Sequence, residues 1–118
     1  MKALPRETAD YNCVMNILID QPGGLEACRG ALKKLAQREL SDIKRQGKKF
    51  SEDWNLVFHC LSLNTWDPGY GDFVGHPEDS AELLVYWLTK KHAKIDPRGA
   101  RLKARKEVAD TLRSACAS

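Results

Sequence analysis

Apolar positions recur every three to four residues in five stretches of the chain, and that spacing predicts five helices. The first covers residues 5–19. Pro5 suits its first position, and Ala9, Cys13, Val14, Ile17 and Leu18 form its apolar stripe. Gln21-Pro22-Gly23-Gly24 stops it. The second covers 24–46. Leu25, Cys28, Leu32 and Leu35 form a buried edge that Ala36, Leu40 and Ile43 continue, and Gly47 ends it.

A third helix opens at Ser51-Glu52-Asp53, a hydroxyl cap followed by two acids at the positive end of the helix. Trp54, Val57, Phe58 and Leu61 follow at helical spacing. A strand over 56–63 competes, but Val57 is its one β-branched residue, so helix is the expectation. The fourth helix starts at Pro77-Glu78-Asp79. It carries Ala81, Leu84, Val85 and Leu88 on one face, with Leu83 and Trp87 beside them. Asp96-Pro97 ends it, because a residue before proline avoids the helical region. The fifth covers 99–116 with a stripe of Ala104, Val108, Leu112 and Ala115.

Residues 64–76 break the periodicity. They hold Trp66, Tyr70 and Phe73 among Gly69, Gly71 and Gly75. The expected fold class is therefore all-α: a compact bundle of about five helices with one long glycine- and aromatic-rich loop. The 118 residues amount to a single helical domain spanning 1–118.

Charge changes the picture more than composition does. The net charge of +3 hides a block pattern. Residues 29–49 hold eight Lys and Arg against Glu39 and Asp42. Residues 51–89 hold seven acids and no Lys or Arg. Residues 90–106 hold Lys90, Lys91, Lys94, Arg98, Arg101, Lys103, Arg105 and Lys106 against Asp96 alone. Arg98, Arg101 and Arg105 are spaced to share one face of the last helix. The blocks satisfy one another inside the chain or across a homodimer, or they meet an acidic protein surface, or they meet nucleic acid. Against nucleic acid stand a mildly basic sequence pI near 8.7 and the lack of a recognition-helix or RNA-binding motif.

The loop also has two readings. Trp66, Tyr70 and Phe73 form a recognition surface, or Trp66 and Phe73 turn inward and plug one end of the bundle. Its glycines run G-x-G-x-x-x-G, one residue too long for a dinucleotide fingerprint, with no strand before them. Asp67, Asp72 and His76 are the only candidates for an enzyme or metal site, and His76 reads more simply as the cap of the helix at Pro77. His59 and Cys60 are adjacent, so on a helix they point about 100° apart and make a poor dyad; both are expected in the core, partly buried.

Cys13, Cys28, Cys60 and Cys116 include no C-x-x-C pair, and His59, His76 and His92 include no H-x-x-x-H pair. The thiols are expected to be reduced and at least half-buried, with no metal and no cofactor. Apolar runs are too short for a membrane span, and Glu7 and Asp10 interrupt any secretory leader, so a cytoplasmic location without membrane contact is expected. No catalytic residue is assigned. Together these features point to a small non-enzymatic interaction protein: an adaptor, inhibitor or regulatory subunit. It would dock on a larger partner through Trp66, Tyr70, Phe73, Lys90, Lys91, Lys94, Arg98, Arg101 and Arg105. Nucleic-acid binding through 29–49 and 90–106 is the alternative.

Overall fold

The computed structural model describes residues 10–73 and 75–116, without the side chains of Asp72, Phe73 and Cys116. Five helices follow in order: α1 (Tyr11–Ile19), α2 (Gly24–Arg45), α3 (Glu52–Ser62), α4 (Pro77–Ala93) and α5 (Ala100–Cys116). Two short strands, β1 (Trp66–Asp67) and β2 (Asp72–Phe73), lie between α3 and α4. The all-α bundle expected from the periodicity is the fold observed.

The first helix is described from Tyr11. Asp10 adopts extended backbone, and its carboxylate accepts from the N–H groups of Asn12 and Cys13 at 3.0 and 3.4 Å. A capping acid thus starts the helix at Tyr11. The expected start at Pro5, and Ala9 of the expected stripe, lie outside the described residues. The buried stripe is Tyr11, Val14, Met15 and Leu18, while Cys13 is exposed and Ile17 half-buried. The face is therefore turned from the expected one, because Tyr11 packs under Arg105, whose guanidinium lies 5.6 Å from the ring centre.

Helix α2 touches all four other helices. Cys28, Leu32, Leu35, Ala36, Leu40 and Ile43 are buried as the spacing predicts, but Leu25 is exposed in the first turn. The link from α1 is set by Gly24. A Cβ there would lie 1.6 Å from the Leu18 carbonyl oxygen, so backbone meets backbone.

Helix α3 forms where a strand competed. Ser51 Oγ accepts from the Trp54 N–H at 3.2 Å, and Val57 and Cys60 are buried. Phe58 and His59 fall on the outer side, so neither joins the core as expected. The buried Arg29 side chain ties α2 to the end of α3 by donating from Nη1 to the Leu63 carbonyl at 3.0 Å. Asn64 Nδ2 donates to the Cys60 carbonyl at 3.0 Å and to Ser80 Oγ at 2.6 Å, which joins α3 to the first turn of α4.

Pro77 opens α4, and Ala81, Leu84, Trp87 and Leu88 are buried along it. His76 occupies the cap position, but its side chain makes no capping bond. Ala104, Val108, Ala109 and Leu112 bury the inner face of α5. Residues from all five helices join one hydrophobic cluster. The expected loop 64–76 contains a hairpin. Trp66 pairs with Phe73 and Asp67 with Asp72 in antiparallel register. The Asp67 carboxylate accepts from the Gly69 N–H at 2.8 Å, and its carbonyl accepts from the Gly71 N–H at 2.9 Å, with Gly71 at φ +66°. The turn is thus built by an Asp side chain and a left-handed glycine.

Candidate functional site

The side-chain bonds give the bundle two distinct ends. Glu39 on α2 meets Trp87 and Lys91 on α4, and Arg38 meets Glu107 on α5. Lys90 on α4 meets Asp53 at the start of α3 at 2.8 Å. The C-terminal halves of α2 and α4, the first half of α5 and the start of α3 therefore share one end. The hairpin, the end of α3 and the starts of α2 and α4 share the other. An α-helix of 17 residues is about 25 Å long, so α4 separates the two ends by that distance.

The C-terminal part of the basic block 29–49, from Arg38 onward, meets the block 90–106 at the first end, while Arg29 lies at the other. The interior of the first end is an ordered ionic network. Glu39 is fully buried, and its Oε1 accepts from Trp87 Nε1 at 3.1 Å and from Lys91 Nζ at 2.8 Å. Its Oε2 accepts from Arg38 Nε at 3.1 Å. Burial alone would raise its pKa, but the bonds from Lys91, Trp87 and Arg38 outweigh burial and hold it below the usual carboxylate range. Arg38 Nη2 also reaches Glu107 Oε1 at 2.6 Å, and His92 Nε2 lies 2.8 Å from Glu107 Oε2. A cleft of about 550 Å³ opens beside these groups, with Lys103 and Lys106 also lining it.

Several of the expected partner-binding cations are thus engaged within the chain. Lys90 is bound to Asp53, and Lys91 to Glu39 with Asp42 at 3.8 Å. The Asp53 carboxylate raises the Lys90 pKa through its hydrogen bond and charge. Arg105 is half-buried, 3.7 Å from Asp10. Arg98 is exposed but sits in the turn before α5, so it does not share a helix face with Arg101 and Arg105 as expected. Lys94, Arg98, Arg101, Lys103 and Lys106 are exposed, with no carboxylate within ion-pair distance among the described residues. On the α2 side, Lys44, Lys48 and Lys49 are exposed in the same way. Arg45 is paired with Asp42.

The second end carries the hairpin. Trp66 is 52 % exposed and Tyr70 88 %, so Trp66 does not plug the bundle. The Phe73 and Asp72 side chains lie outside the described residues. The Asp67 carboxylate is spent on the turn, and among the described residues no three His, Cys, Asp or Glu side chains converge as metal ligands. Asp20, Glu26, Glu78 and Asp79 give this end its acidic character. The hairpin aromatics and the 90–106 cations, grouped in one partner-binding set from the sequence, therefore occupy two separate surfaces.

Two features escaped the sequence reading. Glu39 falls on the apolar edge of α2, between Leu35 and Leu40, and a carboxylate at such a position was a legible sign of a buried ion pair. Phe50 is 75 % exposed at φ +68°, a backbone region that disfavours bulky side chains. Its ring packs edge-on against Trp54 with centroids 6.2 Å apart, and Lys49 Nζ lies 5.0 Å from its centre. No pattern in the sequence marks that geometry.

The described thiols are unpaired. Burial pushes the Cys28 thiol up to about 11, with Glu78 adding to the shift, and pushes Cys60 up to about 12. Neither is a thiolate near neutral pH, so neither is an activated nucleophile. Among the described residues no helix is long and apolar enough to cross a membrane. No family model, curated protein or solved structure matches this chain, so the surfaces stand on their own chemistry.

Proposed function

We propose that this chain is a small non-enzymatic interaction protein, an adaptor, inhibitor or regulatory subunit, that docks its basic end on an acidic surface of a larger protein. One observation carries the reading: exposed cations from two segments distant in sequence, Lys44, Lys48 and Lys49 on one side and Lys94, Arg101 and Lys103 on the other, gather at one end. The ionic network beneath ties α2, α4 and α5 together at that end, so little backbone order is lost on docking. Charge of one sign steers an acidic partner and sets specificity. The exposed Trp66 and Tyr70 offer a second contact, since aromatics with few rotatable bonds make good anchors. A cytoplasmic location belongs to the same reading, supported by the unpaired thiols of Cys13, Cys28 and Cys60.

A second reading, single-stranded nucleic acid, is favoured by Phe50 and Trp54 beside Lys48 and Lys49, because bases stack on exposed aromatics flanked by cations. The mildly basic sequence pI near 8.7 and the lack of a recognition-helix or RNA-binding motif favour protein instead. The test is affinity capture from the native host, with and without nuclease, using the wild type and a variant with Arg101→Glu and Lys103→Glu. A nuclease-resistant protein partner that the variant loses supports the proposal. Loss of every partner on nuclease treatment supports nucleic acid. Capture that ignores the charge reversal refutes the surface assignment.

A further inference from the structure

We propose that copies of this chain associate head to tail, the basic end of one against the hairpin end of the next. This rests on the interaction reading above and names a second copy as a partner for the same surfaces. The α4–α5 corner carries Lys94, Arg98, Arg101 and Lys103, and among them Ile95 is 87 % exposed and Leu102 65 %. The hairpin end carries Asp67, Glu78 and Asp79 together with the exposed Trp66 and Tyr70. Each surface thus sets two apolar side chains among charges mainly of one sign, Asp96 at the basic corner being turned onto the Gly99 N–H, and the prevailing signs are opposite. Such surfaces are complementary in both respects, and one chain carries both.

The geometry also fixes the mode of assembly. The two surfaces differ, so the contact is heterologous. They lie at opposite ends of α4, so end-on stacking joins each copy to two different neighbours. Contacts of that kind build open chains or rings rather than a two-fold dimer. A net charge of only +3 leaves little overall repulsion to oppose them.

Sedimentation velocity over a range of protein concentration tests the proposal. In about 0.01 M salt, where charges act over about 30 Å, the wild type should sediment as a growing series of oligomers, and in about 1 M salt as a monomer. The variant with Arg101→Glu and Lys103→Glu removes the net positive charge of the α4–α5 corner, and the variant with Glu78→Lys and Asp79→Lys removes the net negative charge of the hairpin end. Each alone should weaken association by about tenfold or more, and an equimolar mixture should restore it. Circular dichroism verifies folding. If the lysine pair unfolds α4, Tyr70→Ala serves as the hairpin-end variant and should also weaken association. A wild type that stays monomeric at low salt, an assembly that stops at a dimer, or a mixture of folded variants that stays monomeric overturns the proposal. If copies do not associate while partner capture still depends on Arg101 and Lys103, this inference falls and the interaction reading stands. Association without any captured partner is the reverse case.

Discussion

Replacing Glu39 probes the network that shapes the basic end. In Glu39→Ala the buried Trp87 indole loses its acceptor, which costs about 1–3 kcal/mol. The one lost methylene leaves a partly filled space and costs about 0.8 kcal/mol. Lys91 and Arg38 are treated differently, because their side chains are 36 % and 53 % exposed and regain water. Their loss adds at most about 1 kcal/mol. The sum is about 3 kcal/mol. With an unfolding entropy of about 2.1 cal/mol/K per residue, this chain should lose about 12 °C in Tm. Glu39→Gln keeps shape and an acceptor, so it should cost about 1 kcal/mol. The sign of its pH dependence follows from the depressed pKa of Glu39. The charge stabilises the fold fully above the unfolded-state value of about 4.3 and is lost as pH falls through the lower folded value. Chemical denaturation of wild type and Glu39→Gln from neutral to acid pH checks this. The gap between them should hold above about pH 5 and narrow progressively as pH falls below about 4.3. A gap that persists into strong acid, or a Glu39→Ala cost under about 1 kcal/mol, refutes the account of the network.

Gly24→Ala should destabilise by about 2 kcal/mol or more in urea melts, because the new Cβ collides with the Leu18 carbonyl and the backbone must move. Phe50→Gly should raise stability by about 0.5–1 kcal/mol, since relief of the left-handed strain exceeds the lost ring contacts; a net loss of similar size would falsify that ranking. In a Cys116→Ser background, Cys13 should react with a thiol reagent in the native state, while Cys28 and Cys60 should react only on unfolding, because they are buried and stay protonated.

Helix number and type were legible because each segment repeats its apolar positions over three or more turns, as Leu32, Leu35, Ala36, Leu40 and Ile43 do. Short-range competition was less legible. Asp10 starts α1 by capping two N–H groups, a local bond that apolar periodicity does not register. The hairpin has two residue pairs, too few for alternation to register. The charge blocks were visible, but which cations are spent internally was not. That depends on carboxylates brought from distant positions, as when Asp53 binds Lys90 and Glu39 binds Lys91. The separation of aromatics from cations was hidden for a related reason. Both flank α4 in sequence, and only its length sets them apart.

The hairpin and the basic end also differ in how firmly they are held. Two backbone pairs and one Asp-built turn make a structure that is marginal by itself in water, and its anchorage to the bundle is local: Gly75 lies so close to Leu63 that an added Cβ would come within 2.3 Å of it. Amide protons of β1 and β2 should therefore exchange with solvent through local opening, at rates insensitive to mutations that weaken the core. Those of α2 near Glu39 should exchange only when the whole chain unfolds. A ligand at the hairpin would have to supply the ordering entropy and would slow exchange there strongly, whereas one at the basic end would meet a surface already set. The two ends of one small bundle would thus give opposite calorimetric signatures for binding.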